Sequence, residues 1–438
     1  MANASFRVVI VGGGPVGLCL ARALTLAKID YVLLERRDTV VEETGFGLAL
    51  WPHGVRVLDQ LGLLEEGLRI RFPMKDKFNV RPNGSNIVNT NLYERIEQQH
   101  GHPWMLFLRK ELLQLLYKDL PDKETRIFTS KKVISIETHA DGVQVHCDDG
   151  SIEKSSIVVG CDGAYSRVRG IMQDLRLKAS GHVCGSEMPI KAEYQALVGY
   201  LNRIPQMQPG TIWEVRGNKT SFQVFMQEDV GWFLAYKRLT VPVSQSTQYS
   251  DDDVSAFADS VMDHPVGEGL LFRDLWDVRK WTRMLNIEEG LVSEWHHDRI
   301  VLLGDSIHKM SPNAGLGMNQ GWQGVVALTN LLRKLLSENP EPDTPALTAI
   351  FEKYKKTCHK SAKDAAFLSN LYLRTTCWHN VAYKVADILG PYLGGDPAIF
   401  RLMASPMIKR GLILDSTPEP GYKEGNIPWD NKPYVAEQ

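Results

Sequence analysis

Three glycines, Gly12, Gly14 and Gly17, stand between a short apolar run and a helical pattern. Their spacing suits the binding of a pyrophosphate. The first permits a sharp exit from a strand, the second lets backbone approach the phosphates, and the third lets the next helix pack closely on the strand. The helix N-terminus then offers unbonded N–H groups and partial positive charge to the anion. Glu35 closes the next apolar run, 18 residues after Gly17, where a carboxylate can accept a hydrogen bond from a ribose hydroxyl. A turn of this kind alone is weak evidence. With a strand before it, a helix after it and an acid at the next strand end, it points to a dinucleotide.

Glu35 suits NAD and FAD alike, because both carry an adenosine 2′-hydroxyl. The discriminating feature is Gly304-Asp305, which opens a second glycine-rich loop running through Pro312, Gly315 and Gly317 to Asn319. A long cofactor with a ribityl chain and an isoalloxazine ring needs such a second contact. A simple NAD dehydrogenase does not. FAD is therefore the expected bound cofactor.

Hydrophobic periodicity supplies the elements that must hold these turns. Phe6–Val11, the helical pattern Pro15–Lys28 and Tyr31–Leu34 form a βαβ unit. Arg109–Leu116 reads as a helix, and Lys132–Thr138, Val143–Cys147 and Ile152–Val159 as strands, with a tight turn at Asp141-Gly142. From Tyr194 to Leu239, strands rich in Trp, Phe and Tyr suggest an antiparallel sheet. Asp251–Met262 reads as a helix, Arg299–Leu303 as a buried parallel-type strand, and Leu316–Leu336 as a helix. A long helix runs from an N-cap at Thr344 to about Arg374, and the segment from Ser416 onward reads as an extended tail. The expected fold class is α/β: a Rossmann-like FAD-binding domain, an inserted, mainly antiparallel substrate sheet, and C-terminal helices. The expected boundaries are 1–180 and 291–337 for the two parts of the FAD domain, 181–290 for the sheet domain, and 338–438 for the helical region and tail.

The bulk composition narrows the class. Of 438 residues, 43% are hydrophobic and 23% charged, with a net charge of −2. That is a globular balance with no general attraction for nucleic acid. The six cysteines form no CxxC pair, which argues against a zinc site or a disulfide framework. No signal peptide is expected, since Met1–Ser5 lacks a basic region. No apolar stretch reaches the ~18 residues needed to span a bilayer. The expectation is a cytoplasmic monomer or weak dimer with a small lipophilic substrate, collected through peripheral contact with a membrane. His296-His297 and His100/His102 lack metal-ligand spacing and read as surface histidines.

Taken together, Val9–Gly17, Leu34–Arg37, Trp51–Gly54, Arg109 with Leu112 and Leu116, Gly160–Arg169 and Gly304–Asn319 resemble the class A FAD-dependent aromatic hydroxylases. They resemble more closely the fungal FAD monooxygenases of indole-diterpene, meroterpenoid and prenylated-indole pathways. The resemblance spans about residues 5–375. It implies that Glu35 holds the adenosine ribose and that Arg109 reaches the phosphate–ribityl region. Asp162-Gly163 matches an Asp-Gly motif tied to FAD and the reducing nicotinamide, and Asp305 would bond the ribityl hydroxyls. The loop Pro312–Asn319 would frame the ring, with Ala49 and Met318 beside it. Ala49, Leu316, Met318 and Gly321–Gly324 depart from the family pattern, and a methionine and a tryptophan near the flavin would narrow the pocket or reshape ring contacts, and would weaken FAD retention.

The implied chemistry is NADPH- or NADH-dependent monooxygenation with O2 through a flavin C4a-hydroperoxide, epoxidising or hydroxylating a terpenoid, prenylated indole or polyketide. Tyr194 and Arg216 stand in for the family's usual catalytic pair. Tyr200, Trp213, Phe222, Phe225, Trp232 and Tyr236 are the other aromatic candidates for the pocket. His308, three residues past Asp305, reads as a structural histidine rather than a base. The competing readings are a flavoenzyme turned to dehydrogenation or cyclisation, and a binding protein that keeps only the shell.

Overall fold

The computed structural model describes residues 6–42, 47–181, 186–244, 247–267 and 269–434. Val8, Val9 and Ile10 are fully buried, as β-branched residues in the middle of a doubly covered sheet should be. Their strand, Arg7–Val11, pairs in parallel with Asp30–Leu34 on one side and Ile157–Gly160 on the other. Six strands follow the order His296–His297, Ile300–Leu302, Ile157–Gly160, Arg7–Val11, Asp30–Leu34, Ile127–Phe128. Ile300–Leu302 thus returns to the first sheet from far along the chain, and carries Gly304-Asp305 to the same sheet end as the Gly12–Gly17 turn. Both turns lie beyond the carboxyl ends of parallel strands, where such sheets bind ligands.

The second large sheet has eight strands. Its centre is Ser186–Asn202, paired antiparallel with Val230–Val243 and Arg279–Val292. Thr220–Met226 and Thr211–Arg216 continue it, and Asp76–Val80 with Asn86–Thr90 extend its edge. Those last two strands come from the segment that the sequence places with the FAD domain, and Asp76–Val80 joins in parallel to Thr211–Arg216. The long helix spans Thr344–Thr376, and its N-cap is Asp343, whose carboxylate accepts the Ala346 N–H at 2.9 Å, rather than Thr344.

The tail is docked, contrary to its reading as an extended segment. Arg56 and Glu419 form a two-pronged ion pair, Nε to Oε1 at 2.6 Å and Nη2 to Oε2 at 2.7 Å, with both side chains fully buried. Trp429 lies 4.5 Å from the Arg56 guanidinium and beside His100. Gln60 donates to the carbonyls of Leu414 and Thr417. A polar composition concealed a few strong anchors.

Three histidines assigned to the surface are buried, two of them by this docking. His100 and His102 are buried under the tail, and His296 is buried against Glu352, which its Nε2 meets at 3.0 Å. Burial lowers His53 to about 3, and His100 and His102 to about 4. In the unfolded chain each titrates near the ordinary ~6.5. Below that pH the unfolded chain binds protons that the folded protein refuses, so stability is full above about pH 6.5 and is lost as pH falls toward 4. Asp59, raised to about 6 by burial, acts in the opposite sense, as do Glu111, Glu289 and Asp387. Burial also lowers His264, His296, His308 and His379, which add to the three. The melting temperature at pH 5 is expected to lie roughly 5 °C or more below that at pH 7. Calorimetry showing a flat profile over that range would contradict this.

Candidate active site

The three glycines of the first turn divide by what surrounds them. Gly12 has a φ of +109°, and a side chain there would meet the Cys161 carbonyl oxygen at 2.6 Å. A side chain on Gly17 would be driven into the carbonyl oxygen of Gly12. Gly14 has nothing within 4 Å of where its Cβ would stand. Two glycines shape the turn and the third leaves room above it. Gly14 is also the N-cap of the helix Pro15–Leu26 and supplies no side-chain cap, so the first-turn N–H groups are left for a ligand. Glu35 is buried. Its Oε2 accepts the Gly13 N–H at 2.7 Å and its Oε1 the Arg37 N–H at 3.0 Å. The carboxylate thus holds the turn from the end of the strand Asp30–Leu34.

Arg109 begins the helix Arg109–Tyr117 and finds no hydrogen-bond or ion-pair partner among the described residues. Burial pulls its guanidinium below the ordinary value, and Glu42, Asp305 and Glu35 act on it from nearby. The carboxylates of the two distant turns therefore converge on one cation. Asp305 itself is exposed. Its loop is braced by Ser306, whose hydroxyl donates to the Gly160 carbonyl at 2.8 Å. Arg169 donates to the carbonyls of Ser306 and Ala164. Asp162 accepts from the Ser166 hydroxyl and from the N–H groups of Arg167 and Val168. It anchors the start of the helix Arg167–Ser180.

Asn319 ties the second loop to the first domain. Its Nδ2 donates to the carbonyls of Ala49 and Gly315, and its Oδ1 accepts the Trp51 N–H at 2.9 Å. The Trp51 indole donates to the Ala314 carbonyl at 3.0 Å. The helix Gly317–Glu338 starts here without a side-chain cap, so a second uncapped N-terminus faces the cleft. Ala49 lines the cavity, while Met318 packs against the core of the nucleotide domain. The tryptophan expected to narrow the flavin pocket does not reach it. Trp322 is fully buried and donates to the Pro15 carbonyl at 3.1 Å. Gly321 leaves room for Val16 against this helix, and Gly324 for Leu303 and Tyr354.

These features fit FAD: a bare Gly14 cradle, two uncapped helix ends, the half-buried cation Arg109 and a framed loop. Beyond the loop lies a cavity with about 1330 Å³ of empty space, counting its mouth. Ala49, Arg109 and Pro312–Gly315 form one wall, and Ile96, Trp104, Phe225, Trp232 and Leu368 are among its apolar lining. Of the seven aromatic candidates, Phe225 and Trp232 line it, stacked with ring centres 5.3 Å apart. Trp213 and Phe222 pack in a separate core on the other side of the sheet.

One wall is polar. Lys77 bonds the Tyr372 hydroxyl and the Asp396 carboxylate, the latter at 2.8 Å. Tyr372 reaches both oxygens of Glu214, at 2.8 and 2.7 Å. Gln223 donates to Glu214 and to the Asn313 carbonyl of the flavin loop. Burial pushes the Tyr372 phenol well above its ordinary value. Burial also opposes the charge on Asp396, yet Lys77 and Arg216 hold its carboxyl below the usual range.

Tyr194 and Arg216 fall outside the lining of this cavity. Tyr194 is fully buried and bonds His379 Nδ1 at 2.7 Å. Arg216 lines a smaller neighbouring cavity, bonded to Asp387 and to Asn79 Oδ1 at 2.7 Å. His308 is buried, and burial lowers its pKa. Lys77, Glu214, Tyr372 and Asp396 were absent from the sequence reading. The signal available for them was a charged residue in an apolar strand, such as Glu214 beside Trp213.

A profile of the FAD binding domain matches residues 5–206 and 237–367. The FAD-dependent monooxygenase srdH of Neurospora crassa is 35% identical over 98% of this chain and 100% of its own length. The FAD-dependent monooxygenase esdpE of Penicillium shearii is 32% identical over 96% of this chain and 88% of its own. Among solved structures, Klebsiella pneumoniae HpxO complexed with FAD and uric acid has a similar fold, with a TM-score of 0.75 at 19% identity, over 92% of this chain and 96% of that one.

Proposed function

The chain belongs to the family of FAD-dependent monooxygenases built on this FAD binding domain, and we propose that it epoxidises or hydroxylates a small lipophilic natural product of a fungal pathway. NADPH or NADH serves as reductant and O2 as oxidant. The observation that carries the reading is the cavity: the loop that frames the flavin position is also one wall of a largely apolar chamber. When bound, FAD would relay two electrons from the nicotinamide to O2, which provides the oxygen atom transferred to the substrate and the one lost as water. The chain's residues do the rest. Gly14, Arg109 and the two helix ends hold the cofactor, while Glu35 and Asp305 face its hydroxyls. Phe225, Trp232, Trp104 and Ile96 exclude water and press the substrate toward the loop. We assign Tyr194 and Arg216 positioning roles, through His379 and through Glu214 and Asp387.

The test is the yellow, FAD-loaded protein given NADPH and fractions of terpenoids, prenylated indoles or polyketides. The expected result is reductant oxidation that rises with one fraction and a product one oxygen atom heavier. A product lighter by two hydrogens, or of unchanged mass, would replace this reading with dehydrogenation or cyclisation.

Among the described residues no helix is long and apolar enough to cross a membrane. The helix Val381–Leu389 nonetheless exposes Val381, Val385, Ile388 and Leu389, and the turn after it exposes Tyr392 and Leu393. The spacing of the first four puts them on one face. The smaller cavity lies against this segment, lined by Ala386, Gly390 and Pro391, and shares Leu368, Tyr372, Asp396 and Ile399 with the larger one. We propose that this face rests on a bilayer at the cytoplasmic side and admits the lipophile. Wild-type protein is expected to sediment with phosphatidylcholine vesicles, and a Val385→Asp, Leu389→Asp variant to stay in solution with its FAD. Equal sedimentation of both would rule the face out.

A further inference from the structure

The polar wall restricts the ligand more narrowly than the apolar walls do. Most of its donors are committed among the described residues, the exception being the Tyr93 hydroxyl, which also lines the cavity near Glu214 and Asp396. Lys77 is spent on Tyr372 and Asp396, with Glu214 at 3.5 Å. The Tyr372 hydroxyl is spent on Glu214, and the Gln223 amide on Glu214 and the Asn313 carbonyl. Arg216 is spent on Asp387 and Asn79, and its unpartnered Nε belongs to a side chain that lines the smaller cavity. The Asn313 amide nitrogen is also unpartnered, but it sits on the flavin loop.

The acceptors are not used up. Both recorded hydrogen bonds to Asp396 fall on Oδ2, from Lys77 at 2.8 Å and Asn79 at 3.2 Å. Oδ1 accepts none from the described residues and has Arg216 at 3.7 Å. A carboxylate has about four acceptor sites. Around Asp396 the formal charges point the same way, with Lys77 and Arg216 facing three carboxylates, Glu214, Asp387 and Asp396, while Arg109 lines the same cavity on the wall given to the cofactor. A ligand carboxylate would bring a fourth negative charge into a poorly screened chamber.

We propose that the substrate carries a hydrogen-bond-donating group, a hydroxyl or a protonated amine, received by Asp396 at the polar wall, and that carboxylic acids are rejected. The inference rests on the reading of this cavity as the lipophile site. It makes Asp396 a specificity-determining residue contributed by the C-terminal helices, although the oxygen chemistry belongs to the cofactor beside the loop that Gln223 joins to this wall.

Farnesol, farnesylamine and farnesoic acid share one chain and differ only at the head. Binding of each to the FAD-loaded protein at pH 7 can be followed by quenching of tryptophan fluorescence, since Trp51, Trp104 and Trp232 line the cavity. The alcohol and the amine are expected to bind at least about tenfold tighter than the acid. Asp396→Asn should weaken the amine about tenfold or more and narrow its advantage over the acid. The wild-type ranking needs no variant, so a misfolded Asp396→Asn protein leaves the test intact. Acid binding as tight as that of the alcohol and amine would overturn the inference and leave the lipophile reading standing. Failure of all three probes to bind would overturn both.

Discussion

A Gly14→Val variant is expected to fold as the wild type does and to purify colourless, its affinity for FAD reduced by roughly a hundredfold or more. The reason lies in how the three glycines differ. Gly14 has φ −75° and ψ −177°, an extended conformation open to any residue. No protein atom lies within 4 Å of the Cβ position, so valine clashes with nothing in the folded chain. Its cost as a helix N-cap is at most about 1 kcal/mol. The isopropyl group instead fills the space that the pyrophosphate must enter. Gly17→Ala makes the contrast, because its methyl strikes the Gly12 carbonyl within the turn, and the fold itself should suffer. The readouts are the ratio of flavin to protein absorbance and the melting temperature of the apoprotein. A Gly14→Val protein that retained stoichiometric FAD would remove the turn from the cofactor site.

That contrast explains why the two glycine-rich turns were legible in the sequence and the polar wall of the cavity was not. The first turn, Glu35 and the Asp305 loop are local: a few residues with fixed spacing, each demanded by backbone geometry. Their chemistry survives without knowledge of the fold. Lys77 and Glu214 come from adjacent strands far apart in the chain, Asp76–Val80 and Thr211–Arg216, and Asp396 from a late helix. Nothing in their neighbours announces that they meet, because their meeting is a consequence of sheet order and of helices folding back over the sheet. Tyr194 and Arg216 failed to line the large cavity for a related reason. Alternation along a strand says that a side chain points to one face or the other, but what covers that face is decided by the chain that returns to it. Trp322 illustrates the same limit, since a large side chain near a cofactor loop faces the Pro15 carbonyl rather than the ring.

The tail was misread for a different reason, since its Pro, Gly and charge gave a composition of exposed chain. Glu419 is one of those charges, and it is fully buried against Arg56. Every residue of the helix Pro52–Gln60 that carries Arg56 is buried, which requires a cover on its outer side. Removing the carboxylate would leave a guanidinium in a dry site with only the Asn431 carbonyl, at 3.0 Å, among its recorded hydrogen-bond partners. Breaking one half of a buried pair typically costs about 3–5 kcal/mol. Glu419→Ala is therefore expected to lose that much stability and to release the tail to protease. The effect should reach the cofactor, since this helix begins immediately after Trp51, whose indole holds the flavin loop through the Ala314 carbonyl. Loss of FAD on warming should accordingly occur at a lower temperature than in the wild type. The ion pair itself need not add stability, because two buried charges give up their hydration to meet. Arg56→Met combined with Glu419→Leu should recover most of the deficit, as apolar replacements of whole buried pairs commonly do. If Glu419→Ala matches the wild type in melting temperature and protease resistance, the tail is held by Trp429 and the backbone contacts alone. If the double variant is as unstable as the single one, the packing geometry of the pair, rather than an unpaired charge, sets the cost.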